Sequence, residues 1–71
     1  MDEKEFLETM AEILDIDEEL TMETELDTVE EWDSLSYVMF QAQMLAKVQK
    51  KMIPSDVKKA KTIGDLYALI A

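Results

Sequence analysis

The sequence predicts an all-α fold, a small four-helix bundle with three longer helices, one short helix and a long loop between helices one and two. Apolar residues recur at the three-and-four spacing of helices in the first, middle and last parts of the chain. The capping residues Asp33 and Thr62 precede the middle and the last of these segments, and Pro54 lies between the two segments. With 71 residues the chain forms a single domain, 1–71, whose core supplies only roughly a few kcal/mol of net stability.

Helix one is predicted over residues 2–14, and its acidic first turn complements the helix dipole. Its apolar stripe consists of Phe6, Leu7, Met10, Ile13 and Leu14. Residues 15–32 then form a connection that is long for so small a domain, with an additional helical turn compatible with residues 21–26. We expect its recurring apolar side chains to pin it to the core. These are Ile16, Leu20, Met22, Leu26 and Val29.

Helix two is predicted from Ser34 to about Lys51, because the Asp33 carboxylate can cap the first free N–H groups of a helix. Two apolar stripes lie on it. The first contains both aromatic residues of the helix and is predicted to face inward: Tyr37, Phe40, Met44 and Val48. The second is predicted to face outward as a contact surface, because large exposed apolar patches usually mark interfaces: Leu35, Val38, Met39, Ala42, Leu45 and Ala46.

The last part of the chain predicts a short helix and a final helix. Pro54 ends helix two, since proline disfavours helix in the residue before it, and a short helix follows over residues 55–59. Its Val57 and the following Ala60 are expected to face inward. Thr62 then caps helix four, with Asp65 completing a variant capping box and Gly64 in the first turn.

Composition excludes several classes of function. The chain has no cysteine and no histidine, so disulfides, zinc-thiolate sites and Cys-His or Ser-His nucleophiles are ruled out, and we expect no enzyme activity. A formal net charge of −10 repels nucleic acid and anionic membranes and favours partners with basic patches. The first residues do not resemble a signal peptide, and no apolar run reaches membrane-spanning length, so we expect a cytoplasmic protein without membrane insertion.

The acidic loop invites comparison with a calcium site. Asp15, Asp17 and Glu19 alternate as at the start of an EF-hand loop. Leu20, however, stands where that loop needs glycine, and no bidentate glutamate follows at its twelfth position. The pattern therefore predicts a solvated acidic surface, and no metal site is assigned.

Ser34 is the candidate functional residue. Asp-Ser at a helix start is a common capping pair, but it also exposes a hydroxyl where a phosphate ester would lie at the positive end of the helix dipole. The motif Asp33-Ser34-Leu35 follows a long acidic loop and precedes Ile53-Pro54 and Thr62-Ile63-Gly64-Asp65-Leu66. From Phe6 to Ile70 this arrangement resembles the acyl carrier protein family.

The resemblance implies that Ser34 carries 4'-phosphopantetheine, transferred from coenzyme A by a magnesium-dependent phosphopantetheinyl transferase. The arm would provide the thiol that the chain lacks, and acyl or aminoacyl groups would be carried as thioesters in fatty-acid, polyketide or other biosynthesis. Acyl-loading and acyl-transferring enzymes are the implied partners. Asp33 would orient the helix start, and Leu35, Val38, Met39 and Ala42 would contact the partners.

The chain departs from the family in helix two, which has no acid between Ser34 and Ser55 and ends in Lys47, Lys50 and Lys51. These lysines fit either the helix dipole or a changed partner surface. The usual glycine at the helix end is also missing, which predicts either a longer helix two or weak self-association through it.

Other interpretations remain beside the carrier. A carrier-like module could bind partners through the outward stripe without modification, and a hydrolase using Ser34 would lack a base. Trp32 fits either a partner anchor or a seal that closes the loop against helix one. The six methionines fit malleable core filler better than copper binding.

Overall fold

The computed structural model describes residues 1–70, which form four α-helices around one apolar core. In chain order these are α1 (Glu3–Leu14), α2 (Ser34–Val48), α3 (Pro54–Lys59) and α4 (Ile63–Ile70). A 3-10 helix, Leu26–Thr28, lies in the loop between α1 and α2. Over residues 21–26, where an additional helical turn was expected, the N–H of Thr24 donates to the carbonyl oxygen of Thr21 at 3.2 Å, which makes a single turn and no α-helix. Within residues 1–70 there is no strand, only an isolated antiparallel bridge between Glu25 and Thr62. The predicted all-α class is confirmed.

Helix α1 begins and ends on aspartates. The Asp2 carboxylate accepts a hydrogen bond of 2.8 Å from the N–H of Glu5, and Asp15 ends the helix in the left-handed conformation at φ 54°. Phe6, Met10, Ile13 and Leu14 of the predicted stripe are buried, and Leu7 is partly buried. Thr9 is buried beside them, and its hydroxyl donates to the carbonyl oxygen of Glu5 at 2.9 Å.

The long loop is pinned to the core as predicted. Leu20 and Leu26 are buried, and the other three loop residues of the predicted set pack against the core. The loop backbone also bonds to the junction of α3 and α4: the N–H of Leu26 donates to the carbonyl oxygen of Lys61 at 2.8 Å, and that of Ile63 to Thr24 at 3.1 Å. Main-chain hydrogen bonds therefore hold the loop together with apolar packing.

Gly64 permits the closest of these approaches. Its N–H donates to the carbonyl oxygen of Met22 at 2.8 Å. A β-carbon added at Gly64 would lie 2.9 Å from that same oxygen, a distance that side chains do not tolerate. Glycine is therefore needed where the loop crosses the first turn of α4.

Helix two was predicted to end at about Lys51, or to run longer because no glycine follows it. Both predictions are wrong. Helix α2 ends at Val48, and Gln49 adopts the left-handed conformation at φ 57° that glycine usually supplies. The N–H of Gln49 donates to the carbonyl oxygen of Met44. The early end lets the chain turn back and bury Met52, which is 6% exposed.

The predicted cap of α4 is confirmed, whereas α3 starts one residue earlier than predicted, on Pro54, and has no side-chain cap. The Thr62 hydroxyl accepts from the N–H of Asp65 at 3.2 Å, and the Asp65 carboxylate accepts from the N–H groups of Lys61 and Thr62 at 3.0 and 3.2 Å. These backbone donors, Lys61 first, hold the pKa of Asp65 below its usual 3.8. Val57 is fully buried, as expected.

The aromatic side chains form one connected cluster that joins the helices. The ring of Phe6 lies 5.2 Å from Tyr67 of α4 and 6.0 Å from Phe40 of α2. Trp32, predicted to seal the loop against helix one, instead packs its ring on α2, 4.8 Å from Tyr37 and 6.1 Å from Phe40. All four contacts are edge-to-face, the arrangement that aromatic quadrupoles favour.

Methionine fills much of the remaining core. Met10, Met44 and Met52 are buried, whereas Met39 is 38% exposed.

None of the helices in residues 1–70 combines the length and the apolar character needed to cross a bilayer.

Candidate functional site

Ser34 is the first residue of α2 and is exposed. Asp33 precedes it in an extended conformation, and its carboxylate oxygen accepts hydrogen bonds from the N–H groups of Leu35 and Ser36, each at 3.1 Å. The helix therefore starts at the residue that the sequence predicts, and for the predicted reason. Its serine hydroxyl stands at the helix start, outside the packed core.

A second serine, Ser36, holds this helix start in place. It is only 5% exposed, and its hydroxyl donates to the carbonyl oxygen of Glu31, with the Asp33 carboxylate at 3.4 Å. The N–H of Tyr37 donates to the carbonyl oxygen of Asp33 at 3.0 Å. Ser36 was not among the predicted site residues, although its position three residues after a capping aspartate is the spacing of a capping box.

The electrostatics of Ser34 are mixed. The Asp33 carboxylate already accepts the N–H groups of Leu35 and Ser36, so an anion on Ser34 would gain the helix dipole but not these two donors. Glu31 is exposed nearby, and the first basic residue along α2 is Lys47, about 20 Å away at 1.5 Å per residue. Outside α2, Lys58 borders a depression with Trp32 and Tyr37 next to the helix start. The site fits covalent attachment of a phosphate ester through an exposed oxygen.

The two faces of α2 are divided as predicted. Phe40 and Met44 are fully buried, with Tyr37 and Val48 partly buried beside them. On the opposite side Ala42 and Ala46 are exposed, as are large apolar side chains. These are Leu35 at 67%, Val38 at 63%, Leu45 at 55% and Met39 at 38% exposure. The predicted contact residues therefore form an open apolar surface that begins next to Ser34.

The lysines at the end of α2 have different surroundings. The Lys47 ammonium lies 3.3 Å from the Thr9 hydroxyl oxygen and so connects α2 to α1. Lys50 and Lys51 are exposed beyond the helix end. Lys51 borders a shallow depression on the outward side of α2, together with Val38 and Leu45.

The acidic loop does not gather its carboxylates into a metal centre. Over residues 1–70 no three potential metal ligands among the acidic side chains come close enough to hold one ion. Asp15, Asp17 and Glu19 are each exposed. They form part of an exposed acidic surface.

Comparisons with known proteins do not assign a family. The chain matches no protein-family model, no curated protein and no solved structure. The features that bear on function are Ser34, the helix start that positions it and the outward face of α2.

Replacing the cap is expected to weaken the helix start. Asp33→Ala removes the acceptor of two N–H groups and should lower the free energy of unfolding by about 1 kcal/mol, measured by urea denaturation. Asp33→Asn retains an acceptor oxygen and serves as the control, and we expect it to lower the free energy of unfolding by less than Asp33→Ala does. Equal stability of all three proteins would contradict the capping role.

Proposed function

We propose that this chain is a carrier protein of the acyl carrier type, a four-helix bundle that holds thioester intermediates on a 4'-phosphopantetheine arm attached to Ser34. The observation that supports the proposal best is the exposed hydroxyl of Ser34 at the first position of α2, beside a cap that fixes the helix start. A residue placed in this way is open to a modifying enzyme from the solvent side.

In this proposal the chain contributes an anchor and no catalysis. It has neither a thiol nor an imidazole, so it cannot itself activate Ser34 or carry a thioester on its own side chains. The bound arm would supply the thiol that carries the acyl or aminoacyl group. Asp33 and Ser36 act by keeping the helix start fixed, so that the anchor has a constant position relative to the surface around it.

The partners we propose are a phosphopantetheinyl transferase and the acyl-loading and acyl-transferring enzymes of a biosynthetic pathway in the cytoplasm. Leu35, Val38, Met39 and Ala42 provide an apolar docking surface directly after the anchor. Because α2 has no acidic residue after Asp33, this surface offers apolar contact where an acidic helix would offer charge pairing. The net charge of −10 argues against nucleic acid as a partner.

Intact-mass measurement tests the proposal. The purified chain is incubated with coenzyme A, magnesium and a promiscuous phosphopantetheinyl transferase. We expect a single mass gain equal to one phosphopantetheine group, and we expect Ser34→Ala to abolish it completely. Ser55→Ala is the matched control, since Ser55 is also an exposed serine near a helix start and its replacement should leave the gain unchanged.

Other outcomes point to other functions. A folded wild-type chain that gains no mass would support the second candidate, an unmodified module that binds partners through the exposed apolar face of α2. A mass gain that persists in Ser34→Ala would place the modification elsewhere and contradict the proposal. Ester hydrolysis lost in Ser34→Ala, without a mass gain, would favour a hydrolase.

A further inference from the structure

We propose that the outward side of α2, together with the connection to α3, is a docking site for an acidic amphipathic helix of a partner protein. This surface, called the basic-apolar face below, consists of Val38, Ala42, Leu45, Lys50, Lys51 and Ile53. The proposal does not depend on any modification of Ser34. It rests on the local charge of this face, which is opposite in sign to the charge of the chain as a whole.

Two neighbouring depressions make the basic-apolar face one continuous surface. The first lies on the outward side of α2 and is lined by side chains of that helix together with Lys51 and Met52. The second lies beyond the helix end, and its lining includes Lys50, Lys51, Met52 and Ile53. Because Lys51 and Met52 line both, the lysines stand between two apolar regions. Leu45 is 55% exposed and Ile53 is 59% exposed, so both regions are open to solvent.

Positive charge is concentrated in this part of the chain. Six of the seven lysines lie between Lys47 and Lys61, and Asp56 is the only acidic residue between Ser34 and Lys61. Among the described residues, no acid lines the depression on α2. The depression beyond the helix end is lined by two lysines and by the single acid Asp56. The basic-apolar face is therefore locally positive on a chain whose net charge is −10.

The acids of the long loop are too far away to reverse this local sign. Glu30 and Glu31 border depressions that are lined mainly by loop residues. The described residues span 27 × 23 × 18 Å, whereas salt screens exposed charges beyond about 8 Å at physiological ionic strength. A segment docked on the basic-apolar face thus responds mainly to Lys50 and Lys51. The net charge, which favours basic partners, does not set the sign of the partner at this face.

The shape of the face fits a helix. Val38, Ala42 and Leu45 follow one another at spacings of four and three residues, so they form a ridge along α2 with its smallest side chain in the middle. An amphipathic helix can lay its apolar side along such a ridge, with carboxylates at its edge reaching Lys50 and Lys51. An anionic bilayer is a plane wide enough to approach the exposed acids at the start of α2 as well, and these acids oppose it.

A titration followed by NMR tests the docking. The isotope-labelled chain is titrated with a synthetic helix of alanine, leucine and glutamate, in which the leucines form one side and the glutamates lie along its edges. We expect the amide signals of Val38, Leu45, Lys51 and Ile53 to shift together. The affinity should fall as salt is added, because screening weakens the charge pairing. An unchanged spectrum at millimolar peptide would overturn the proposal.

Paired charge reversals separate this face from the general charge of the chain. Lys50→Glu combined with Lys51→Glu should weaken binding of the glutamate peptide about tenfold or more. Lys4→Glu combined with Lys58→Glu changes the net charge equally, but these lysines border depressions on α1 and beside Trp32. This control should retain most of the affinity. All four lysines are exposed, so neither variant disturbs the core. Equal weakening in both would contradict the proposal.

Two further probes test the chemistry of the partner. The same peptide with lysine in place of glutamate should leave the signals of the basic-apolar face unshifted. Vesicles of phosphatidylglycerol should not sediment the chain. The proposal is overturned if the lysine peptide shifts Val38 and Lys51 as strongly as the glutamate peptide does. It is also overturned if the vesicles bind the wild-type chain and not the Lys50→Glu, Lys51→Glu variant.

Ser34→Ala separates this proposal from the carrier function. The variant cannot be modified at position 34, yet it should bind the glutamate peptide with the affinity of the wild-type chain, because Ser34 is not part of the basic-apolar face. Peptide binding in a chain that gains no phosphopantetheine would uphold the docking site and count only against the carrier. Loss of peptide binding in Ser34→Ala would contradict the docking site as defined.

Discussion

Phe6→Ala is expected to leave most of the chain unfolded at room temperature. Phe6 is fully buried, and its ring contacts Phe40 of α2 and Tyr67 of α4, so it joins three helices. Removing a buried phenylalanine ring costs about 3–5 kcal/mol. The core of so small a bundle supplies at most about 3–5 kcal/mol of net stability, so the loss equals or exceeds the whole free energy of unfolding.

Far-UV circular dichroism and urea denaturation measure this effect. Leu7→Ala is the control, because Leu7 lies on the same helix, one position along, and is only partly buried. We expect that variant to retain a cooperative transition at a moderately lower urea concentration. A Phe6→Ala protein with the transition midpoint of the wild-type chain would show that the aromatic contacts do not hold the helices together.

Gly64→Ala is expected to destabilise the fold even though alanine is the better helix former. In an ordinary helix position the change would gain about 0.5–1 kcal/mol. Here the new β-carbon would lie 2.9 Å from the carbonyl oxygen of Met22, a main-chain atom that cannot rotate away. Forcing extra atoms into packed surroundings costs about 1–3 kcal/mol. We therefore expect a net loss of roughly 1–2 kcal/mol.

Thermal unfolding together with amide hydrogen exchange separates this effect from helix propensity. The amides of Leu26 and Ile63 bond across the same junction, and Gly64→Ala should speed their exchange more than that of amides in α1. Ala68→Gly is the control at an exposed position of α4, where only the propensity cost of about 1 kcal/mol applies. A more stable Gly64→Ala protein would mean that the loop does not pass so close to α4.

Much of the fold follows from local patterns in the sequence. The stripe of α1, the Asp33 cap of α2 and the Thr62 cap of α4 are written in consecutive residues, and each forms as expected. The end of α2 is different, because no glycine marks it: Gln49 is left-handed, its N–H donates to the carbonyl oxygen of Met44, and Met52 is buried after the turn. The bonds between the long loop and α4 join distant parts of the chain, and no spacing along the sequence encodes them.

The candidate site was predictable in its exposed parts and not in its buried ones. The exposure of Leu35 and Val38 follows from helical periodicity, since they lie opposite Phe40. The position of Trp32 against α2 and the hydrogen bond from Ser36 to Glu31 depend on how the loop enters the helix. These tertiary contacts help to fix the helix start, in addition to the Asp33 cap that the sequence predicts.

The attachment of the long loop through its backbone has a consequence for evolution. Hydrogen bonds from Leu26 to Lys61, from Ile63 to Thr24 and from Gly64 to Met22 use atoms that every non-proline residue possesses. The exposed acids between them, such as Glu23 and Glu25, can thus drift by mutation without loosening the connection. A descendant of this chain could acquire a differently charged loop, and with it different neighbours in the cell, while its bundle stays the same.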